Sequence, residues 1–207
     1  APADSVGVIA GDLACAEGMK AAMDLAGSLG VKSIDCRQDG TKLGLAADGT
    51  KLARESWLFN STIMGIDEAD AILLVGVNPR REAAVLNARL RKAWLRMVPV
   101  ALLGERVDLT FDYRYLGAGP DSLKELKAGH PVFDQLANAK RPLIILGQGA
   151  LARSDGGAVL NAVSALAGAV GAFKDGWNGF SVLHTAASRV GGLDMGFLPA
   201  SYGQAGG

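Results

Sequence analysis

Two glycine-bearing turns follow apolar runs in this chain, and both stand where an α/β protein could hold a phosphate. The first is Gly76-Val77-Asn78-Pro79-Arg80-Arg81, directly after the run ILLV at 72–75. The carboxyl end of a buried strand opening onto a helix offers unpaired backbone N–H groups to an anion. Asn78 suits the cap of that helix. Pro79 suits its first position, because proline lacks the N–H that would go unpaired there. Arg80 and Arg81 fit less well, since the helix dipole disfavours cations in the first turn by about 0.3–1 kcal/mol each. Carboxylates from a neighbouring loop or subunit, open solvent or a bound phosphate would each relieve that cost, and carboxylates are the expectation. One glycine at 76 is also short of the G-x-G-x-x-G that admits a pyrophosphate. The second turn, Gly147-Gln148-Gly149-Ala150-Leu151-Ala152, satisfies G-x-G-x-x-A. A helix should start at once there, yet ARSDGG at 152–157 intervenes. The next acid able to bind a ribose, Asp175, falls beyond the usual spacing. A tight turn is the simpler reading.

Other chemistry is sparse. The chain has no Walker A loop, no C-x-x-C, no H-E-x-x-H and no G-x-S-x-G elbow. Cys15 and Cys36 lack flanking Cys or His at ligand spacing, so they cannot assemble a metal or iron–sulfur site and read as buried thiols. His130 opens HPVFDQL, a helix-start setting. His184 lies in SVLHTAA on a helical apolar pattern, and both histidines read as structural. Asp67, Glu68 and Asp70 read as a solvated turn or helix face. No catalytic, cofactor-binding or metal-ligating residue is assigned.

The elements that would position the two turns are legible as an alternation. Ser5–Ala10 reads as a strand, Cys15–Leu29 as a helix closed by Gly30, and Val31–Cys36 as a strand. A polar loop over 37–62 holds DGTKLG at 39–44 and DGTKLA at 48–53, a local echo of one turn. Ala71–Val77 is the strongest strand, followed by a helix from Pro79 to about Arg96 and a strand at Val98–Leu103. Short helices are expected at Asp121–Ala128 and Val132–Ala139, a strand at Pro142–Leu146, a helix from about Gly157 to Val170, and a helix at Ser181–Gly191. Strands alternating with helices imply an α/β, Rossmann-like, mostly parallel sheet with helices on both faces. The runs ILLV and LIIL agree, because central parallel strands are buried on both sides. The expected organisation is one Rossmann-like domain over 1–176 and a partly helical C-terminal extension over 177–207.

Of the 207 residues, 49% are hydrophobic and 20% charged, which suits a packed core. Lys plus Arg equals Asp plus Glu at 21 each, so neither nucleic acid nor anionic lipid is expected as a partner. No apolar stretch reaches the ~20 residues that span a bilayer. The segment APADSVGVIAG has no basic region before a long apolar run, so no signal peptide is expected. Its immediate entry into a strand reads as the edge of a longer polypeptide. Two cysteines suit a reducing compartment. Trp57, Phe59 and Trp177 would be interface anchors if they proved exposed.

The run FNSTIMGIDEADAILLVGVNPRREAAVLNARLRKAW at 59–94 resembles the large iron–sulfur subunit of respiratory complex I, the NADH-quinone oxidoreductase of bacteria. VALLGERVDLTFDYRYLG (100–117), AKRPLIILGQGALARSDGGAVL (139–160) and WNGFSVLHTAASRVGGLDMGFLP (177–199) continue the likeness in register. AGDLACAEGMKAAMDL and IDCRQDG extend it upstream, so it covers nearly the whole chain. The resemblance implies the C-terminal, molybdopterin-oxidoreductase-like region of that subunit. Val77-Asn78-Pro79 with Arg89 is similar to the G-x-N-P…R-I-R pattern of enzymes that hold a pterin guanine dinucleotide. Gly104-Glu105-Arg106 departs from the Asp-Pro-Arg type segment of those enzymes. In the complex I family the pterin is understood to be absent. The 2Fe-2S and 4Fe-4S clusters are bound by cysteines of a separate N-terminal half. The resemblance thus implies a non-catalytic scaffold carrying no cofactor itself. Its partners would be the rest of its subunit and other peripheral-arm subunits, on the cytoplasmic side of the inner membrane or the matrix side if eukaryotic, without direct membrane insertion. The parent complex passes electrons from NADH to quinone, coupled to ion translocation. The rival reading is a pterin- or nucleotide-binding oxidoreductase fragment using 76–81 and 147–152. A third is a domain sensing a small anion at Arg80.

Overall fold

The computed structural model describes residues 1–46 and 48–199. Two compact units emerge: Ala1–Trp57 with the chain from Ala186 onward, and Leu58–Thr185. The first unit opens with β1 (Gly7–Ile9), α1 (Ala16–Ser28) and β2 (Ser33–Asp35), the two strands pairing in parallel. Cys15 caps α1, its Sγ accepting the Gly18 N–H at 3.4 Å. Gly30 ends the helical region at φ +72°, which a side chain would resist. The two echoes fold alike. Asp39 accepts the Thr41 N–H at 3.1 Å and Asp48 accepts the Thr50 N–H at 2.9 Å, the hydrogen bond of an Asx turn.

The second unit runs α2 (Thr62–Glu68), β3 (Ala71–Val75), α3 (Pro79–Glu82), α4 (Ala84–Leu95), β4 (Val100–Leu103), β5 (Arg114–Tyr115), α5 (Pro120–Glu125) and α6 (Pro131–Ala137). It continues with β6 (Pro142–Gly147), α7 (Gln148–Leu151), α8 (Gly156–Ala169), the two-residue strands β7 (Phe173–Lys174) and β8 (Trp177–Asn178), and β9 (Phe180–Leu183). Then α9 (Ala187–Met195) returns to the first unit. β5-β4-β3-β6-β9 form one sheet in which every pair is parallel. Every residue of β3, β4, β6 and β9 is buried, so both faces of the sheet are covered. This is the α/β architecture that the apolar runs imply. Ile72, Leu74, Leu102, Leu143 and Ile145 meet Leu90 and Ala93 of α4 in one core cluster. Each such large side chain contributes about 1.5–3 kcal/mol by leaving water.

Three expectations change. The helix from Pro79 to Arg96 is broken at Ala83 (φ −155°, ψ 70°) into α3 and α4. Ala83 and Ala84 are strong helix formers, so no local signal marks the break; tertiary packing of α4 overrides propensity. The expected helix at 181–191 is instead strand β9, a connection and α9. A short apolar run such as FSVL reads equally as buried strand or buried helix, and pairing with β6 decides it. Residues 177–199 therefore supply an edge strand of the central sheet and a helix of the first unit, and 200–207 lie outside the described residues. Trp57 and Trp177 are 1% and 8% exposed, and Phe59 packs partly buried against the core, so these aromatics fill interiors rather than project from a surface. Their indole N–H groups explain the fit: Trp57 donates to Asp194 at 3.1 Å and Trp177 to the Pro142 carbonyl at 2.9 Å.

Candidate functional site

The chain leaves β3 for β4 and β5 on one side, then returns to place β6 and β9 on the other. That reversal creates a switch point at the carboxyl ends of β3 and β6, where open α/β sheets bind ligands. A crevice of about 460 Å³ opens there, lined among others by Asn78, Glu82, Gly104, Glu105, Ala150 and Arg153. Both sequence-defined turns, 76–81 and 147–152, reach it.

The glycines at its floor serve the protein itself. A Cβ on Gly147 would collide with the Gly76 carbonyl, and one on Gly104 would sit 3.1 Å from the Gly76 backbone. A Cβ on Gly76 (φ +54°) would meet Ala150 Cβ at 2.5 Å. The glycines let three strand ends converge closely beneath the crevice. The helix does begin at once after Gly147, as the one-turn α7, contrary to the expected plain turn. It stops at Leu151 and α8 starts afresh at Gly156.

The polar rim is built largely from acceptors. Asn78 makes no side-chain cap bond to α3, contrary to its expected role, and its Oδ1 is buried without a partner. Its backbone N–H instead donates to Glu82 Oε1 at 2.6 Å. The chain's own carboxylate thus occupies a donor at the strand-to-helix junction. Glu105 adds a second carboxylate. Arg153 supplies a cation, but it is held by Asp155, with Nε to Oδ1 at 2.7 Å, and that contact keeps the Asp155 pKa below its ordinary value.

Arg80 pairs with Asp108 and also donates to the Asp108 carbonyl at 3.2 Å. This is the protein carboxylate that the first-turn cation called for. The Asp108 pKa is lowered chiefly by the Thr110 N–H and then by Arg80. Arg81 is exposed and makes no ion pair among the described residues. Arg89, the arginine shared with the dinucleotide-binding pattern, pairs with Asp67 of α2. Asp67, Glu68 and Asp70 prove more than solvated acids. Glu68 pairs with Arg141, and Asp70 accepts the backbone N–H groups of Lys140 and Arg141 at 2.8 Å each, fixing the entry to β6.

Gln148, buried at the end of β6, contacts His184 Nδ1 at 2.7 Å, while Thr185 donates to its Oε1 at 3.3 Å. His184 therefore follows a strand rather than lying on a helix. His130 caps α6, its Nδ1 accepting the Val132 N–H at 3.2 Å. Cys36 is buried, and burial, then Asp35, pushes its pKa up to about 11. Cys15 is exposed, not buried as expected, because it caps a surface helix. Among the described residues no cluster of three or more His, Cys, Asp or Glu could hold a metal ion, and no helix is long and apolar enough to cross a membrane. Sequence reasoning missed Glu82, Asp108 and Gln148. Glu82 had a readable signal, a carboxylate four residues after the cap; Asp108 acts from a loop and Gln148 from the one-turn α7, with none.

The family model for molybdopterin oxidoreductase matches residues 2–204, and the chain belongs to that family. Within it, the chain is 42% identical over 191 residues to the mitochondrial NADH-ubiquinone oxidoreductase 78 kDa subunit of Candida albicans, covering 91% of this chain and 26% of that protein. It is 39% identical over 202 residues to mitochondrial NADH dehydrogenase (ubiquinone) iron-sulfur protein 1 of Solanum tuberosum, at 97% and 26% coverage. It is 40% identical over 198 residues to the 78 kDa subunit of Neurospora crassa, at 93% and 26%. The chain thus spans about a quarter of the length of these relatives.

The family name implies a pterin cofactor, and the crevice chemistry tests the fit. A pterin dinucleotide carries two linked phosphates that need donors and uncompensated cations. The crevice is lined by the carboxylates of Glu82 and Glu105, and its arginine is matched by Asp155. These residues do not fit the group.

Proposed function

We propose that this chain is a non-catalytic scaffold domain in the large peripheral-arm subunit, the 78 kDa type, of NADH:quinone oxidoreductase. The parent complex transfers electrons from NADH to quinone and couples this to ion translocation. The chain binds no pterin or iron–sulfur cluster of its own. Its partners are the rest of its subunit and neighbouring peripheral-arm subunits, on the cytoplasmic or matrix side of the membrane. The similarity to complex I subunits over more than nine-tenths of the chain supports the assignment. The Glu82 side chain bonded to the Asn78 N–H supports the non-catalytic part, because it occupies a backbone donor at the strand-to-helix junction that an anion would otherwise use. The test is purification of the longest natural polypeptide containing this sequence from its source. Co-purification of NADH:quinone activity, with no pterin released on acid oxidation, is expected. A stoichiometric pterin or nucleotide would establish the oxidoreductase alternative instead.

A further inference from the structure

The chain's charges balance overall but not locally. Between Pro79 and Met97 stand Arg80, Arg81, Arg89, Arg91, Lys92 and Arg96 against a single acid, Glu82. Asp108 matches Arg80 and Asp67 matches Arg89. Arg91, Lys92 and Arg96 make no ion pair among the described residues; Arg96 donates instead to the Asp67 carbonyl at 2.9 Å. α4 buries Asn87, Leu90 and Ala93 and turns Ala84, Ala88, Arg91 and Leu95 outward, one stripe of the helix. Apolar side chains share that outer face. Val85 and Leu95 are exposed, as are Ile63 and Met64 of α2, which lies alongside α4 through the contacts of Asp67. Met97 directly follows the helix and is 88% exposed. Beyond these, the other large apolar side chain so open among the described residues of the second unit is Phe173. Met97 also stands at φ +67°, in a helix end closed by the Val98 N–H on the Ala93 carbonyl at 3.1 Å, where glycine is the favoured residue. The helix dipole accounts for cations in the last turn, but not for an exposed leucine and a left-handed methionine among them.

We propose that the outer face of α2 and α4, with Met97, docks a separate protein chain whose contact region sets carboxylates around apolar side chains. Charge complementarity decides the occupant, because the unmatched charges of this face are all cations. Apolar contact at Val85, Leu95 and Met97 supplies the area to bury, and the cations orient the partner. Arginine and methionine are enriched where proteins meet. A helix lying on a bilayer sets large apolar or aromatic anchors opposite its cations, whereas Trp94, the aromatic residue of α4, packs on Phe111 with ring centroids 6.1 Å apart. The inference deepens the proposed subunit reading and rests on it for the existence of a partner chain, not for the character of the face.

Hydrogen peroxide reads the face, because methionine sulfoxide forms where the side chain is accessible. Met64 and Met97 should oxidise readily in the 207-residue chain and at least ~10-fold more slowly in the natural polypeptide within a fresh extract of its source. In the same extract a zero-length carbodiimide should join Lys92 to an Asp or Glu of a different polypeptide. Arg91→Glu with Lys92→Glu should release that polypeptide, while the 207-residue variant keeps a cooperative melting transition. Met97→Gly should raise the melting temperature of the 207-residue chain yet weaken retention of the partner, a split that a purely structural residue would not give. Equal oxidation in chain and extract would overturn the proposal. So would a Lys92 crosslink confined to its own polypeptide. Shielding of Met97 in the 207-residue chain by phosphatidylglycerol vesicles would also overturn it, assigning the face to a membrane surface. Shielding and crosslinking without NADH:quinone activity would sink the subunit reading and leave this one standing; activity without shielding would do the converse.

Discussion

Glu82 Oε1 accepts the backbone N–H of Asn78 at 2.6 Å, closing the start of α3 with a side chain from its own last residue. A carboxylate there satisfies a donor that the helix leaves orphaned and also complements the dipole. Glu82→Ala is expected to cost about 1 kcal/mol of stability and Glu82→Gln less, because the amide oxygen still accepts. Urea midpoints of the three proteins check this.

Arg80 and Asp108 are both well exposed, at 48% and 76% of their side chains. Exposed pairs contribute little. Arg80→Ala is therefore expected to leave the melting temperature within about 1 °C of the parent. Inorganic phosphate should stabilise neither protein. A phosphate-dependent rise lost in Arg80→Ala would instead revive the anion-sensing reading.

The parallel sheet was legible because ILLV and PLIIL are uninterrupted apolar runs punctuated by glycine and proline. The crevice was legible as a place and not as a chemistry. Asn78 reads as a cap in sequence, but its Oδ1 is orphaned because Glu82 reaches the junction first, and side-chain competition of that kind follows from three-dimensional reach. Trp57 and Trp177 would be anchors only if exposed, a condition residue type cannot decide; their burial, with indole N–H groups donating to Asp194 and the Pro142 carbonyl, puts them in the interior. The break at Ala83 left no trace in residue type at all.

Gly192 of α9 faces Cys36, and a Cβ added there would lie 2.6 Å from Cys36 Cβ and 2.8 Å from its Sγ. Gly192→Ala is expected to destabilise the protein by about 1–3 kcal/mol through overpacking. Pairing it with Cys36→Ala should recover part of the loss, because the colliding sulfur is gone. Chemical denaturation of the single and double variants measures the coupling.

Arg189 is 3% exposed and joins Asp39 at 2.8 Å and Asp12 at 3.3 Å. Burial works to raise the Asp39 pKa, but hydrogen bonds from Arg189 and Thr41 outweigh it and hold the value below the ordinary 3.8. Asp194 is lowered in the same direction, first by Arg54. A depressed carboxylate adds stability above its unfolded value and loses it as pH falls toward the folded one. Unfolding free energy should therefore decline as pH drops through about 4, the ordinary carboxylate range. Asp39→Asn should make that decline shallower, as read from denaturation series between neutral and acidic pH.

The two cysteines should separate cleanly under alkylation. Cys15 is exposed, whereas Cys36 is buried with its pKa pushed up to about 11. The thiolate is the reacting form. Iodoacetamide at mildly alkaline pH is expected to modify Cys15 in the folded protein and Cys36 only in denaturant, as peptide mass spectrometry would show. Rapid labelling of Cys36 in the folded protein would contradict its burial.

An all-parallel central sheet has a consequence for biosynthesis. β3 finds its neighbours at Val100–Leu103 and Pro142–Gly147, and β6 must wait for Phe180–Leu183. No strand of that sheet is paired through a tight hairpin, so each closure spans a long loop, which slows folding. ILLV has both its partners once Gly147 has been made, whereas LIIL keeps one edge open until synthesis has passed Leu183.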